Sequence, residues 1–175
     1  MFAKCHRYLL VLFAVCLVGS GLAWSQAALV LHAPEAAKVL PESVFFRGQS
    51  APLQLRNSAG IKFDDGMFVL AALVDTSGYS TSVQQKYQAY FITEAAIEIN
   101  GHSLAPGAYG VGFVGGHFGL MDIGNHDLFS VDSTRDTELK RPTPLQMIAE
   151  ETTPGRYRLY EGRDYVVISR PASSK

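Results

Sequence analysis

The chain predicts an all-β fold: a single antiparallel β-sandwich or small barrel of about eight short strands, behind a cleaved N-terminal signal peptide. Three observations carry this reading. Turn signals recur at short intervals, at Asn100-Gly101, Pro106-Gly107, Gly115-Gly116, Gly124-Asn125 and Pro154-Gly155. The runs between them are short and rich in aromatic and β-branched residues, as strands are. No long stretch repeats with a helical period, which argues against any βαβ architecture.

The N-terminus reads as an export signal. Lys4 and Arg7 precede an apolar run from Tyr8 to Val18, and small residues lead to Ser25-Gln26-Ala27. The run is shorter than the roughly 20 residues a membrane span needs. Cleavage after Ala27, with Ala23 as a second option, leaves a domain over 28–170 and a disordered tail over 171–175. No stable membrane span is expected after cleavage, and the protein is expected in the periplasm or outside the cell. Both cysteines, Cys5 and Cys16, fall in the signal. The mature chain therefore has no thiol catalysis, thiolate metal site or disulfide framework. Removing Lys4 and Arg7 takes the 15 basic residues to 13 against 16 acidic ones, a net charge of −3. No basic patch is evident, so nucleic acid is not an expected partner.

The mature elements follow in order. Pro34 and Pro41 bracket a short helical segment in Ala33 to Val39. Ser43 to Phe46 and Pro52 to Arg56 are expected edge strands. Met67 to Asp75 is apolar on both faces, so it reads as a strand buried on both sides. Gln84 to Glu94 fits a helical stripe and a strand; the strand, from about Tyr87 to Thr93, is preferred for its aromatic and branched content. After the meander described next, 132–144 is a charged, solvated connection, the longest in the chain. Leu145 to Glu150, RYRLY and YVVIS are the last strands, with Tyr157 facing Ile168 and Leu159 facing Val166.

The organising stretch runs from Leu104 to Val131. Two tight turns, Gly115-Gly116 and Gly124-Asn125, divide it into three antiparallel strands. Two-residue turns would place Phe113 opposite Phe118, Val111 opposite Leu120, Tyr109 opposite Asp122, Leu120 opposite Phe129 and Asp122 opposite Asp127. One face is then apolar, with Asp122 and Asp127 at its polar end. The other carries Gly110, Gly112 and Gly119, with Gly112 opposite Gly119. Strand glycines on one face mean a tightly curved sheet, an aromatic lying across the gap, or a groove where a ligand approaches the backbone.

The candidate chemistry sits at Asp122 and Asp127, beside Tyr109 and His126. Directly opposed carboxylates destabilise a sheet pair. Three things could offset that: a bridging calcium ion held by Asp122 and Asp127, a shared proton, or a cation from Arg135 to Arg141. A turn one residue longer would dissolve the pair altogether. His117 and Asp122 are five apart and point to opposite faces. Neither a His-Glu-x-x-His helix nor a Gly-x-Ser-x-Gly elbow occurs. Seven mature tyrosines either pack in the core with hydroxyls at the rim or form an exposed surface for sugars or peptides. Arg156, Arg158 and Arg163 alternate with Tyr157 and Tyr160, a pattern suited to cation-π contacts or to an acidic group.

The segments YQAYFITE, LAPGAYGVGFV, MDIGNHDLF, RPTPLQ and RLYEGRDYV, spanning Tyr87 to Val167, resemble a family of small secreted bacterial β-proteins of unknown function. The resemblance implies bacterial export and a β fold, and no catalytic residues. The expected function is a non-catalytic module binding a small molecule, glycan or peptide through Tyr109, Gly110, Gly112, Gly119, Asp122, His126 and Asp127. The alternatives are a hydrolase or metal-dependent enzyme using Asp122, Asp127 and His126, and a structural envelope protein. No cofactor is expected apart from the calcium alternative.

Overall fold

A computed structural model describes residues 28–171. The expected signal over 1–27, and all of the expected disordered tail except Pro171, lie outside the described residues. Among them are fourteen strands and two short helices. In chain order these are β1 (Leu29–Leu31), α1 (Ala33–Ala36), β2 (Ser43–Phe46), β3 (Gln49–Lys62), β4 (Phe68–Val74), α2 (Thr81–Gln84), β5 (Ala89–Thr93), β6 (Ile97–Ile99) and β7 (His102–Leu104). They continue with β8 (Gly107–Val114), β9 (His117–Asp122), β10 (Asp127–Asp132), β11 (Thr134–Arg135), β12 (Leu145–Ala149), β13 (Arg156–Glu161) and β14 (Asp164–Ser169).

The strands form two antiparallel sheets, and neither closes into a barrel. The larger has the order β1-β3-β4-β5-β8-β9-β10, with β2 also on β3; the smaller has the order β12-β13-β14-β6-β7, with β11 also on β14. Ile61, Val69, Phe91, Val111, Phe118 and Leu120 of the large sheet pack against Met147, Leu159, Val166 and Ile168 of the small one. That is the sandwich core. The large sheet also buries its other face. Phe46, Leu70, Tyr79, Val83, Tyr87 and Met121 form a second cluster beneath α1, β2 and the segment from Asp75 to Gln88. Covering on both faces explains why β4 is apolar on both sides, as expected for Met67 to Asp75.

Three expectations need correction. Pro52 to Arg56 is not an edge strand. It belongs to β3, which runs 14 residues; within the segment Pro52 pairs with Ser43 of β2 and Leu53 and Gln54 pair with β4, while β1 meets β3 only at Gly60 to Lys62. The turn-like Asn57-Ser58 is spent on a bulge: Gln54 pairs with Leu73 and Ser58 with Ala72, so Leu55, Arg56 and Asn57 loop out between them. The strand expected from about Tyr87 to Thr93 forms as β5 but starts two residues later, at Ala89, after α2 has taken Thr81 to Gln84. The 132–144 connection is largely exposed, as expected, but shorter as a loop, because β10 runs to Asp132 and β11 takes Thr134 and Arg135. Arg163 Nη1 donates to the carbonyls of Asp136, Thr137 and Leu139, the last at 2.8 Å.

Candidate functional site

The β8–β9 hairpin follows its glycines. Gly115 and Gly116 take φ of 61° and 84°, and Val114 pairs with His117 across them. The expected pairs Phe113–Phe118, Val111–Leu120, Tyr109–Asp122 and Gly112–Gly119 all form, with the two phenylalanine rings 5.0 Å apart.

The second turn is longer than two residues. Asn125, not Gly124, carries the positive φ, at 70°. Asn125 N–H donates to Asp122 O and Asp122 N–H to His126 O, each at 3.0 Å. The turn therefore holds three residues, Ile123 to Asn125, between Asp122 and His126, and a register shift follows between Asp127 and Phe129. Leu120 still meets Phe129, but Asp127 now lies opposite Met121. Side chains alternate along a strand, so the shift carries Asp127 to the glycine face while Asp122 stays on the other. The expected Asp122–Asp127 pair does not form, nor does the calcium bridge or the enzyme centre drawn from it. Among the described residues no three His, Asp or Glu side chains converge as metal ligands would.

Each residue of that expected centre has another task. Asp122 Oδ1 accepts the N–H of Gly124 at 2.8 Å and of His126 at 2.9 Å, while Oδ2 meets His126 Nδ1 at 2.9 Å. These contacts from His126 and Gly124 hold the Asp122 carboxyl below its ordinary pKa. Asp122 and His126 thus build the turn. Tyr109 closes the arch before β8, where its hydroxyl donates to Ala105 O at 2.9 Å. Its ring fills the space over Gly107, where an added Cβ would lie 2.8 Å from the hydroxyl. Asp127 pairs with Lys86 Nζ at 2.7 Å, not with the Arg135 to Arg141 loop, whose Arg135 pairs instead with Asp164.

The glycine face divides in two. Over Gly110 lie the rings of Phe46 and Tyr87, which stack on each other at 3.7 Å. Over Gly112 lie the Lys86 carbonyl and the Gln88 side chain. Gln88 clamps the end of β8: its Oε1 accepts the Phe113 N–H at 2.6 Å and its Nε2 donates to Phe113 O at 3.2 Å. Over Gly119 there is open space. Here a groove of about 330 Å³ has Gly112, Gly119 and Met121 as its floor and Val114 and Leu128 as walls, with Lys86, His117, Asp127 and Ser130 at the rim. Of the expected site residues, the structure brings Gly112, Gly119 and Asp127 together there. It leaves Gly110 under aromatic rings and Tyr109, Asp122 and His126 elsewhere.

The groove holds no reactive pair. His117 Nδ1 meets Asp132 Oδ1 at 3.0 Å, but no hydrogen bond joins His117 to the neighbouring Ser130. Lys86 and Asp127 neutralise each other. Val114 and Met121 were reachable from the pleat, since they share the glycine face. Lys86 was not: it arrives from a segment 41 residues away from Asp127. The tyrosines are not an exposed platform. Tyr79, Tyr87, Tyr157 and Tyr160 are buried and Tyr90, Tyr109 and Tyr165 are half-buried. Among the arginines, Arg158 lies 4.7 Å from the Tyr165 ring centre and bonds Glu150 at 2.9 Å. Compared with family models, with curated proteins and with solved structures, the chain matches none.

Proposed function

We propose that this protein is an exported, non-catalytic binding module whose glycine groove receives the apolar body of a small ligand. The observation that carries the reading is the unfilled space over Gly119. A Cβ added there would find nothing nearer than Gly112 O at 3.9 Å, whereas the neighbouring strand β8 is tightly covered at Gly110 and Gly112. Val114 and Leu128 stay 48% and 49% exposed at its walls, which suits a surface that gains by being covered. The paired rim charges and the absence of a nucleophile–base pair support binding over catalysis. Export is supported by Lys4, Arg7 and the apolar run to Val18, and by the resemblance of the meander segments to small secreted bacterial proteins.

The test uses the neutral apolar dye Nile red and a variant that fills the groove. Gly119→Val projects into open space, so the fold should survive while saturable dye fluorescence disappears. Dye binding that is unchanged in Gly119→Val would remove the groove as the site. A saturable self-association of the wild type without dye, abolished by the same variant, would replace the module with a structural role. Export is checked separately: protein recovered outside the cytoplasm should begin at Ala28 or, for the second cleavage option, at Trp24.

A further inference from the structure

A second cavity, of about 330 Å³, lies where the bulge of β3 meets the edge strand β12 and the start of α1. Its lining includes Arg56, Asn57, Thr143, Gln146 and His32, and no carboxylate. That sets it apart in a chain with more acidic than basic residues. The glycine groove contains Asp127, and the cavity on the outer face of the small sheet contains Asp136, Glu138, Glu150 and Glu151.

Two of its side chains lack partners. Gln146 Nε2 is buried and makes no hydrogen bond among the described residues. A buried donor left unpaired costs free energy comparable to a lost hydrogen bond, so such groups are rare and call for an acceptor. Arg56 is exposed at the cavity rim and, like Arg47 and Arg141, forms no ion pair among the described residues, so its guanidinium is free to turn toward a ligand. The bulge places it there. Its residues are held by bonds within the bulge, Ser58 Oγ to Leu55 O at 2.6 Å and Asn57 Nδ2 to Gln54 Oε1 at 2.9 Å. Glu35, the nearest acidic side chain in sequence to this lining, is spent on the His32 N–H at 3.1 Å.

From the unpaired Gln146 amide, the unpaired Arg56 guanidinium and the carboxylate-free wall, we infer that this cavity at the seam of the sandwich binds a small carboxylate. A planar guanidinium matches a carboxylate through two parallel N–H donors, and the amide supplies a third. The cavity is at the small end of the range for ligand sites, which suits a small organic acid or the terminal carboxylate of a peptide.

The experiment is a titration of the full chain with benzoate, read by ¹H–¹⁵N chemical shifts, with benzamide as the uncharged control and a short peptide as the second arm. Benzoate should shift the Gln146 side-chain amide and the Asn57 and Ser58 backbone amides saturably, and benzamide should not. Arg56→Gln should weaken benzoate binding by about tenfold or more, the loss expected for a charge-assisted bond. Gln146→Glu, which adds a like charge, should abolish it. Tighter binding of the peptide carboxylate than of benzoate would identify a chain terminus as the source, and the reverse would identify a free acid. Shifts that are not saturable, or benzoate binding unchanged in Arg56→Gln, would overturn the inference. Nile red binding in Arg56→Gln keeps the two sites separate: it should equal wild type whatever happens to benzoate.

Discussion

Gly112 and Gly119 pair across one hairpin and present their Cα atoms to the same face, yet the protein treats them oppositely. Over Gly112 the segment before β5 comes down until the Lys86 carbonyl and Gln88 Oε1 occupy the place of a side chain. Over Gly119 nothing comes down. Glycine at the first position is a requirement of packing, and at the second it leaves a floor bare. The contrast shows that a strand glycine is interpretable only once its covering layer is known. A pair of alanine substitutions tests it with the largest expected effect. Gly112→Ala pushes a methyl group into backbone, which cannot rotate away, and should cost about 2–3 kcal/mol by urea denaturation. Gly119→Ala should stay within about 0.5 kcal/mol of wild type or gain slightly, because alanine restricts the unfolded chain. Equal losses at both positions would erase the distinction and, with it, the groove.

The opposite face of the same hairpin is tested by pH. Along β13, Tyr157, Leu159 and Glu161 alternate toward the core, so the carboxyl of Glu161 is half-buried between the sheets near Phe113. Burial, with Asp164 nearby, pushes its pKa up to about 7. The Phe113 N–H would favour the anion but is engaged by Gln88 at 2.6 Å. The folded state therefore holds this proton more tightly than the unfolded chain, where a glutamic acid titrates near 4.3. The contribution to stability is greatest below about pH 4, declines as pH rises toward about 7, and is flat above that. Its full span is on the order of 3–4 kcal/mol. Glu161→Gln should remove that decline, while the histidines common to both proteins cancel in the difference. A difference between the two proteins that stays constant across this window would show the carboxyl to be solvated.

The sequence was informative wherever local chemistry decides geometry. Gly115-Gly116 specified its turn, and the register of β8 on β9 followed from it residue by residue. Tyr157 and Leu159 met Ile168 and Val166 for the same reason, across the turn at Gly162-Arg163. The reading failed at Gly124-Asn125, where two conformations compete. The carboxylate of Asp122 can accept the amides of Gly124 and His126, and that side-chain capture stabilises a longer turn over the two-residue one. One extra residue reversed the side of Asp127 and dissolved the expected centre. The two Pro-Gly-x-Tyr stretches, Pro106 to Tyr109 and Pro154 to Tyr157, both open a hairpin, at β8 and β13, but use their glycines differently. Gly107 makes room for the Tyr109 ring, whereas Gly155 supplies a φ of 83°, so like sequences meet unlike demands. Lys86, Arg56 and Gln146 were beyond reach because their roles depend on segments that meet only in the fold.

The smallest expected effect concerns the aromatic cover that separates the filled half of the glycine face from the open half. Tyr79 and Tyr87 sit in the same cluster with their rings 5.7 Å apart, yet only one hydroxyl is satisfied. Tyr79 donates to Phe46 O at 3.0 Å, while the Tyr87 hydroxyl is buried with no partner among the described residues. Burial, with Tyr79 and Tyr90 nearby, pushes the Tyr87 hydroxyl pKa well up, as expected of a phenol with nothing to stabilise its anion. Removing a satisfied buried bond and removing an unsatisfied donor have opposite signs. Tyr79→Phe should lose about 1 kcal/mol, since it removes a buried hydrogen bond, whereas Tyr87→Phe should be neutral or gain up to about 1 kcal/mol. Both keep the ring, so the Phe46 stack and the cover over Gly110 remain in place. Unfolding midpoints in urea, with the slope unchanged, give the two values directly. A loss at Tyr87→Phe as large as that at Tyr79→Phe would mean that a bound water satisfies the hydroxyl, and the cover would then be wet rather than dry.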